Sequence, residues 1–291
     1  MKISLNLTEF KKSSVNKLTD AGFEKTEALA EINILMEEIF QLTCKDILTN
    51  NEYFAEDYLL QRFNKALSTR IIDRIPMQYL INKAYFMSES FYVDQNVLIP
   101  RPETELLVEK TLEIAHTFDD KQLKIIDIGT GSGCIACMVA KLLNNTNIIA
   151  SDISSKALEI AKFNADKLSV SHKISFINSD ILQNINDKAD IIVSNPPYIP
   201  LSDKDNLQDE VKNHEPQAAL FTKDPEGMEY YIKIIKQSRY KLNMGGYILL
   251  ESGINQASNI SQLLNNAGFI DIRIYNDLNS IERVIIAQYS Q

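Results

Sequence analysis

Four consecutive residues, Asn195-Pro196-Pro197-Tyr198, directly follow an apolar, β-branched run at 189–193. Such a run is typical of a buried strand, and two prolines cannot continue it, so the four residues should lie at its carboxyl end. The prolines fix two φ angles and remove two N–H donors, which leaves a rigid set of acceptors: the carbonyls of Asn195 and Pro196 and the Asn195 side-chain oxygen. This set suits a substrate NH2 group, although Pro-Pro also ends strands that have no further role.

A glycine-rich stretch lies between another apolar run and a predicted helix. We call it the glycine loop, and its residues are Asp127, Ile128, Gly129, Thr130, Gly131, Ser132 and Gly133. Glycines let a ligand approach the backbone closely, and the start of a helix offers free N–H donors, so the loop indicates a nucleotide-like ligand. Residues 131–136 also fit the pattern G-x-G-x-x-A, which makes a nicotinamide dinucleotide an alternative.

Two acidic residues follow the next two predicted strands. Asp152 ends the first of these, at the place where an acid accepts hydrogen bonds from ribose hydroxyls. Asp180 follows the second, where it could accept from an adenine amine. Both nucleotide interpretations share Asp152, so it does not distinguish between them.

From residue 124 onward, apolar runs alternate with amphipathic stretches, which predicts an α/β domain with a mainly parallel sheet. The predicted strands are 124–128, 147–151, 173–177, 189–194, 247–251, 270–275 and 283–288. The predicted helices between them are 134–143, 156–168, 228–242 and 255–267. Because only a loop separates the last two strands, that pair is expected to be antiparallel. The catalytic domain is predicted over residues 101–291.

The first part of the chain has a helical pattern instead. Apolar positions recur at helical spacing over residues 7–75, most clearly from Ala28 to Phe40, which predicts a small all-α domain over residues 1–75. Its charges are scattered as on a solvated face, and it carries no catalytic constellation. We therefore interpret it as a substrate-recognition domain, with a purely structural role as the alternative.

Aromatic and β-branched residues replace the helical pattern at 84–86 and 91–93. They predict a β-hairpin within a linker of residues 76–100 that joins the two domains. Arg101 follows between two prolines, so its backbone is stiff and could either aim the side chain or leave it exposed.

Composition disfavours some classes of function, although a local basic patch could still exist. The chain has 30 basic and 39 acidic residues and a net charge of −9, the wrong sign for extended nucleic-acid binding. It contains no apolar run long enough to cross a membrane and no apolar leader behind a basic start, which predicts a cytoplasmic protein without membrane contact.

The remaining candidate residues have simpler interpretations. The three cysteines, Cys44, Cys134 and Cys137, are too few for a disulfide framework. The last two form C-x-x-C, but no second pair completes a metal site, so we expect packed thiols and no metal. The acidic stretch 203–210 is most simply a solvated loop, with a lid ordered by a partner as the alternative, and His214 is most simply an exposed loop residue.

The combination of motifs resembles the S-adenosylmethionine-dependent methyltransferases that act on planar NH2 groups. The shared pattern is a glycine loop, an acid after each of the next two strands, and Asn-Pro-Pro-Tyr after the fourth. Within that class the chain resembles the release factor glutamine methyltransferases of the PrmC/HemK type over nearly its whole length. The matching segments are 98–105, 127–136, 194–198, 215–216, 219–220, 227–228 and 282–284.

The resemblance implies a Rossmann-like α/β fold with a seven-stranded, mostly parallel sheet, an antiparallel last strand, and the helical domain joined by the hairpin. It implies methyl transfer from S-adenosylmethionine to the glutamine amide in the Gly-Gly-Gln motif of class-1 peptide chain release factors, which supports translation termination. The expected cofactor residues are Asp127, Gly129, Thr130, Gly131, Ser132, Gly133, Asp152, Asp180, Ile181 and Asn195. The expected catalytic and substrate-binding residues are Asn195, Pro196, Pro197 and Tyr198, with Arg101 and Glu103 also binding substrate.

Two positions depart from the family pattern. Asn82 stands where we expect a hinge glycine, and Ile181 stands where an aromatic ring could stack on adenine.

Other activities stay open at this point: methylation of a ribosomal protein glutamine, methylation of an exocyclic amine of a DNA or RNA base, and cofactor binding without catalysis.

Overall fold

The computed structural model describes residues 2–49, 51–118 and 122–290. The helices are α1 (Leu7–Asp20), α2 (Lys25–Phe40), α3 (Cys44–Thr49), α4 (Asp57–Asp73), α5 (Met77–Ile81), α6 (Glu103–Ala115), α7 (Cys134–Leu142), α8 (Ser155–Lys167), α9 (Asp209–His214), α10 (Gln217–Leu220), α11 (Glu229–Lys241) and α12 (Ala257–Asn266). The strands are β1 (Lys2–Asn6), β2 (Glu52–Glu56), β3 (Ala84–Phe86), β4 (Glu89–Phe91), β5 (Leu123–Ile128), β6 (Thr146–Asp152), β7 (Ile174–Asn178), β8 (Ala189–Ser194), β9 (Ile199–Pro200), β10 (Phe221–Thr222), β11 (Leu242–Glu251), β12 (Phe269–Asn276) and β13 (Glu282–Tyr289).

The chain divides into two compact units. The first consists of Met1–Asn82 together with Asp209–His214, and the second of Lys83–Gln208 together with Glu215–Gln291. The first unit is largely helical, as the spacing of its apolar residues predicts. Its core contains a stack of Phe40 on Phe63, with ring centroids 5.5 Å apart, because the apolar faces of α2 and α4 both point inward.

The helical interpretation is wrong for Glu52–Glu56. These residues form β2, which pairs antiparallel with β1. Both strands are short and mostly exposed, so their alternation of apolar and polar residues is weak beside the strong helical pattern that follows. The ribbon gains its stability from packing on the helices, which sequence periodicity does not reveal.

Arg70 is the largest fully buried side chain of the first unit, which contradicts the expectation of a purely solvated charged face. It is 2% exposed, and its guanidinium lies 2.9 Å from a carboxylate oxygen of Glu31 and 2.9 Å from one of Glu210. Burial raises the pKa of Glu31, although the Arg70 guanidinium lowers it. Glu210 is therefore part of a buried ion cluster, so the interpretation of residues 203–210 as a solvated loop is wrong at this position.

The second unit is built on a seven-stranded sheet with the order β12-β13-β11-β8-β5-β6-β7. All seven predicted strands are present, although β11 begins at Leu242, before its predicted start at 247. The strand β13 pairs antiparallel with both β11 and β12, and the other neighbouring strands are parallel, which confirms the predicted mostly parallel sheet with an antiparallel last strand. Strand β8 is buried along its whole length, as expected for a parallel sheet covered on both faces.

Helices cover the two faces of this sheet. Side chains of α6, α7 and α8 enter the core on one face, and side chains of α11 and α12 enter the core on the other. A hairpin of β3 and β4 forms near the start of the second unit, as predicted, but its second strand is Glu89–Phe91 instead of 91–93, because the chain turns already at Met87 and Ser88. Asn82 ends α5 with φ 53° and ψ 41°, a left-handed conformation that asparagine tolerates, so the departure from glycine preserves the turn.

The two cysteines of the C-x-x-C pattern are buried, free thiols, which confirms their interpretation as packed residues. Burial raises the pKa of the Cys134 thiol to about 12, so the thiolate is disfavoured there. Within the described ranges, no helix is both long and apolar enough to cross a membrane.

Candidate active site

The site lies where the direction of strand addition reverses. From β5 the chain adds β6 and β7 on one side, whereas β8 and then β11 lie on the other side. Open α/β sheets bind their ligands at such a switch point, beyond the carboxyl ends of the strands. Ile128 of β5 is paired with Ser194 of β8, so Gly129 and Asn195 begin two adjacent loops at this edge.

The glycine loop adopts backbone conformations that favour glycine. Gly129 has φ +71° and Gly131 has φ +54°, and a Cβ at Gly129 would have no neighbour within 4 Å. A Cβ at Gly133 would lie 3.0 Å from Cα of Ala161, so this glycine lets α7 begin close against α8. The loop therefore presents open backbone on one side and packs tightly on the other.

A hydrogen bond between Asp127 and Thr130 ties the glycine loop to the end of β5. Asp127 is fully buried, and one of its carboxylate oxygens accepts a hydrogen bond of 2.6 Å from the Thr130 hydroxyl. Burial raises the pKa of Asp127 to about 7. The buried Asn164 of α8 donates to the Ser132 carbonyl at 2.9 Å, which holds the other end of the loop.

Asp152 connects the end of β6 to the glycine loop. Its Oδ2 accepts from the Gly131 N–H and its Oδ1 from the Ser154 N–H, both at 2.9 Å. Burial raises the pKa of Asp152, although these backbone donors lower it. Beyond β7, Asp180 is exposed, whereas Ile181 is 7% exposed and packs in the core.

These residues fit an adenosine-containing cofactor. The open space beside Gly129 leaves room for a ligand against the backbone, and the partly exposed Asp152 ends β6 at the edge of the sheet where a carboxylate can accept from ribose hydroxyls. The chemistry of this donor and acceptor set therefore agrees with S-adenosylmethionine.

Asn195 is held at the start of its loop by a neighbouring helix. Its Nδ2 donates to Thr104 Oγ1 at 3.1 Å, and that hydroxyl donates to Oε2 of Glu251 at 2.7 Å. Burial raises the pKa of Glu251 to about 7, although the hydrogen bond from Thr104 and the charge of Arg283 lower it. Asn195 and Pro197 are half-buried, and Pro196 is buried.

Tyr198 is clamped by glycines and by Gln256. The Gln256 amide donates to the Tyr198 carbonyl at 3.0 Å and to the Glu226 carbonyl at 3.1 Å, and its oxygen accepts from the Gly253 N–H. A Cβ at Gly227 would lie 2.2 Å from the backbone carbonyl oxygen of Tyr198 and 2.3 Å from Gln256 Nε2. The Asn-Pro-Pro-Tyr segment is thus fixed by its surroundings as well as by its prolines.

Gly227→Ala is expected to disturb this clamp. Gly245 offers a matched control, because its φ of +78° is close to the +73° of Gly227 while its Cβ would meet nothing nearer than 3.9 Å. The clash should lower the free energy of unfolding by about 1–3 kcal/mol more in Gly227→Ala than in Gly245→Ala. Denaturant unfolding of both variants measures the difference, and equal losses would show that Tyr198 is free to shift.

Arg101 and Glu103 lie on the α6 side of the site. The Arg101 guanidinium forms an ion pair with Glu215, which is itself 4% exposed, so Arg101 is anchored rather than freely exposed. The pKa of Tyr198 is raised to about 12, chiefly by burial, and the charges of Arg101 and Glu103 both act on it. The structure thus brings these two residues near the Asn-Pro-Pro-Tyr segment.

His214 belongs to the first unit, where its Nε2 lies 2.6 Å from the Asp73 carbonyl.

Sequence reasoning missed Thr104, Glu251 and Gln256. A signal existed for Glu251, because a charged residue ends the apolar run of β11 just as Asp152 ends β6. Carboxyl-end positions in a parallel sheet collect at the same edge, so this acid could have been grouped with the others. Thr104 and Gln256 carry no comparable signal, since their role depends on tertiary contacts.

Comparison with known proteins agrees with this architecture. The protein-family model described as Methyltransferase small domain matches residues 103–214. A release factor glutamine methyltransferase from Clostridium acetobutylicum is 34% identical over 283 residues, which cover 93% of this chain and 98% of that protein. Another from Francisella tularensis subsp. tularensis is 40% identical over 220 residues, which cover 75% of this chain and 76% of that protein.

One solved structure has a fold similar to that of this chain. The ribosomal protein L11 methylase from Lactobacillus delbrueckii subsp. bulgaricus has a TM-score of 0.50 and 21% identity, and covers 68% of this chain and 84% of its own. Together, the sheet order, the glycine loop and the family match define an S-adenosylmethionine-dependent methyltransferase. At this identity and coverage of curated relatives, the chain belongs to the release factor glutamine methyltransferase family.

Asp152→Ala is expected to weaken the binding of S-adenosylmethionine by about 1.5–3 kcal/mol, the usual range for a hydrogen bond to a charged group. Asp166→Ala, at an exposed position of α8, is the control and should leave the affinity unchanged. Calorimetric titration of both variants measures the effect. Equal affinities would remove Asp152 from the cofactor site, and a preference for NADH would support a dinucleotide site instead.

Proposed function

We propose that the chain transfers the methyl group of S-adenosylmethionine to the side-chain amide nitrogen of the glutamine in the Gly-Gly-Gln motif of class-1 peptide chain release factors. The observation that carries this proposal is the pairing of Ile128 with Ser194, because it sets the glycine loop beside the Asn-Pro-Pro-Tyr segment. A cofactor site thereby adjoins a set of acceptors suited to a planar NH2 group. The relatives named release factor glutamine methyltransferases support this choice of substrate.

The reaction requires position and electrostatics more than acid–base work. An amide nitrogen is a weak nucleophile because its lone pair is delocalised into the carbonyl. S-adenosylmethionine, when bound, supplies a methyl group activated by its sulfonium; the N–C bond forms as the S–C bond breaks, and the electron pair stays on sulfur. The protein holds the nitrogen in line and stabilises the charge that develops on it, after which the spare proton leaves to water.

Asn195 and Pro196 are the residues proposed to hold the reacting amide. Oδ1 of Asn195 and the Pro196 carbonyl accept its two hydrogens, which fixes the direction of the nitrogen. Pro197 keeps the backbone rigid, and Tyr198 covers the flat amide. Arg101 and Glu103 bind the substrate around this point, and their charges acting on Tyr198 support that placement.

The cofactor is proposed to lie against Gly129, Gly131 and Asp152. Asp127, Thr130, Ser132 and Gly133 shape the loop, and Asp180 and Ile181 border the adenine end. Residues 1–75 are proposed to orient the release factor, because they belong to a largely helical unit that contains none of the proposed catalytic or cofactor residues. We place the protein in the cytoplasm together with this substrate.

The test is a set of parallel incubations with labelled S-adenosylmethionine. Separate tubes contain an unmethylated class-1 release factor, a ribosomal protein fraction, DNA and RNA. Label in the release factor alone is the expected result. Label in DNA or RNA would indicate a base-amine methyltransferase, and label in none of the tubes would favour cofactor binding without catalysis.

A further inference from the structure

A buried chain of hydrogen bonds links Asn195 to an acid that is distant in sequence. It runs from Asn195 Nδ2 to Thr104 Oγ1 and from that hydroxyl to Oε2 of Glu251, over 3.1 Å and 2.7 Å. Thr104 is 3% exposed and Glu251 is 1% exposed. Water therefore has little access to replace these partners, and each group depends on the others for its hydrogen bonds.

An ionised Glu251 fixes the direction in which these hydrogen bonds are donated. A carboxylate only accepts, so the Thr104 hydroxyl must donate to it and can then only accept from Asn195. The only donor in the Asn195 side chain is its NH2 group, which must therefore face Thr104. Oδ1 is left to face away from Thr104, as an acceptor for another group.

We propose that Thr104 and Glu251 are positioning residues that select the amide orientation of Asn195 in which Oδ1 faces the substrate. The proposal rests on the proposed function, in which Oδ1 accepts from the glutamine amide. Without this selection, the Asn195 side chain could turn over and present its own NH2 group to the substrate NH2. Two donors would then face each other, and the reacting nitrogen would lose its alignment.

The protonation state of Glu251 should control this selection. Burial raises its pKa to about 7, and the charged and titratable groups that act with it come from α6, α7, α11, β13 and the Asn-Pro-Pro-Tyr segment: Glu103, Cys134, Tyr231, Arg283 and Tyr198. When protonated, Glu251 can itself donate to Thr104, and the direction of the hydrogen bonds between Glu251, Thr104 and Asn195 is no longer fixed. Methyl transfer should therefore fall as the pH decreases through about 7.

The experiment measures single-turnover methyl transfer to a class-1 release factor as a function of pH, at saturating labelled S-adenosylmethionine. Saturation matters because burial also raises the pKa of Asp127, under the cofactor loop, to about 7. The variants are Thr104→Val, Thr104→Ser and Glu251→Gln. Thr111→Val is the matched control, because Thr111 is equally buried on α6 but donates only to the Leu107 carbonyl.

We expect Thr104→Val to lower the rate by about 10²-fold, the scale of a misaligned reacting group, with little change in cofactor affinity. Thr104→Ser keeps the hydroxyl and should retain most of the rate together with the fall toward low pH. Glu251→Gln should lose that fall, because its amide does not titrate. Thr111→Val should keep both the rate and the pH profile of the parent.

A parental rate and pH profile in Thr104→Val would overturn the inference. If that variant does not fold, an unchanged pH profile in Glu251→Gln would overturn it instead. Asn195→Ala, assayed alongside, separates the two proposals. If Asn195→Ala is slow while Thr104→Val keeps the parental rate, only the positioning role is removed. If Asn195→Ala itself keeps the parental rate, the role of Asn195 in holding the amide is removed as well. The proposed function fails only if the parent enzyme transfers no methyl group to the release factor.

Discussion

Asn195→Ala is expected to lower the rate of methyl transfer by about 10²- to 10³-fold, the loss seen when one preorganised electrostatic partner is removed. The side-chain oxygen aligns the glutamine amide and stabilises the positive charge that develops on nitrogen. Both effects are larger in the transition state than in the bound substrate, so the loss should appear in kcat rather than in KM. Single-turnover transfer to the release factor measures it.

Cofactor binding on the same variant provides the control. Asn195 follows β8, whereas of the proposed cofactor residues Gly129 follows β5 and Asp152 ends β6, so the affinity for S-adenosylmethionine should change little. Asn279→Ala, at an exposed turn, should leave both quantities unchanged. A parental rate in Asn195→Ala would contradict the mechanism, and a loss of cofactor binding alone would move Asn195 into the cofactor site.

Arg70→Met should lower the free energy of unfolding of the first unit by about 3–5 kcal/mol, as expected when one partner of a buried ion pair is removed. The side chain is 2% exposed, and its removal leaves the carboxylates of Glu31 and Glu210 without their central cation. Denaturant unfolding followed by a probe of helix content measures the loss. Arg62→Met, an exposed arginine on the same helix, should change stability by no more than about 0.5 kcal/mol.

The loss of unfolding free energy in Arg70→Met should also depend on pH. Burial already raises the pKa of Glu31, and without Arg70 nothing of comparable strength lowers it. A folded-state pKa above the ordinary value means that protonation favours the folded form, so the loss is small at low pH and grows as the pH rises through that pKa. A loss that is independent of pH would show that packing of the Arg70 side chain, rather than its charge, stabilises the unit.

The strands of the second unit could be predicted because burial on both faces leaves a continuous apolar run in the sequence. β8 matches its predicted bounds, whereas β11 begins at Leu242, before the predicted start at 247. Its pairing with β8 shifts register between Leu242 and Tyr247, across two glycines that carry no strand signal. Irregular strand ends of this kind are set by the neighbouring strand.

Charged residues with distant partners could not be predicted. Arg70 lies in a helix whose pattern suggests a solvated face, and its burial depends on Glu210, which is far along the chain. The glycine loop, Asp152 and the Asn-Pro-Pro-Tyr segment could be found because each follows a recognisable strand. The contacts of Thr104 with Asn195 and Glu251 required the positions of α6 and β11, which only the fold supplies.

In the proposed reaction one particular atom is methylated: the side-chain amide nitrogen of the glutamine in the Gly-Gly-Gln motif of a class-1 release factor. Fragmentation mass spectrometry of the release factor after incubation with the enzyme and S-adenosylmethionine locates the added methyl group. We expect a single methyl group on that glutamine side chain, and none when the glutamine is replaced by glutamate. A methyl group on another residue, or an unmodified glutamine beside methylated DNA or RNA, would contradict it.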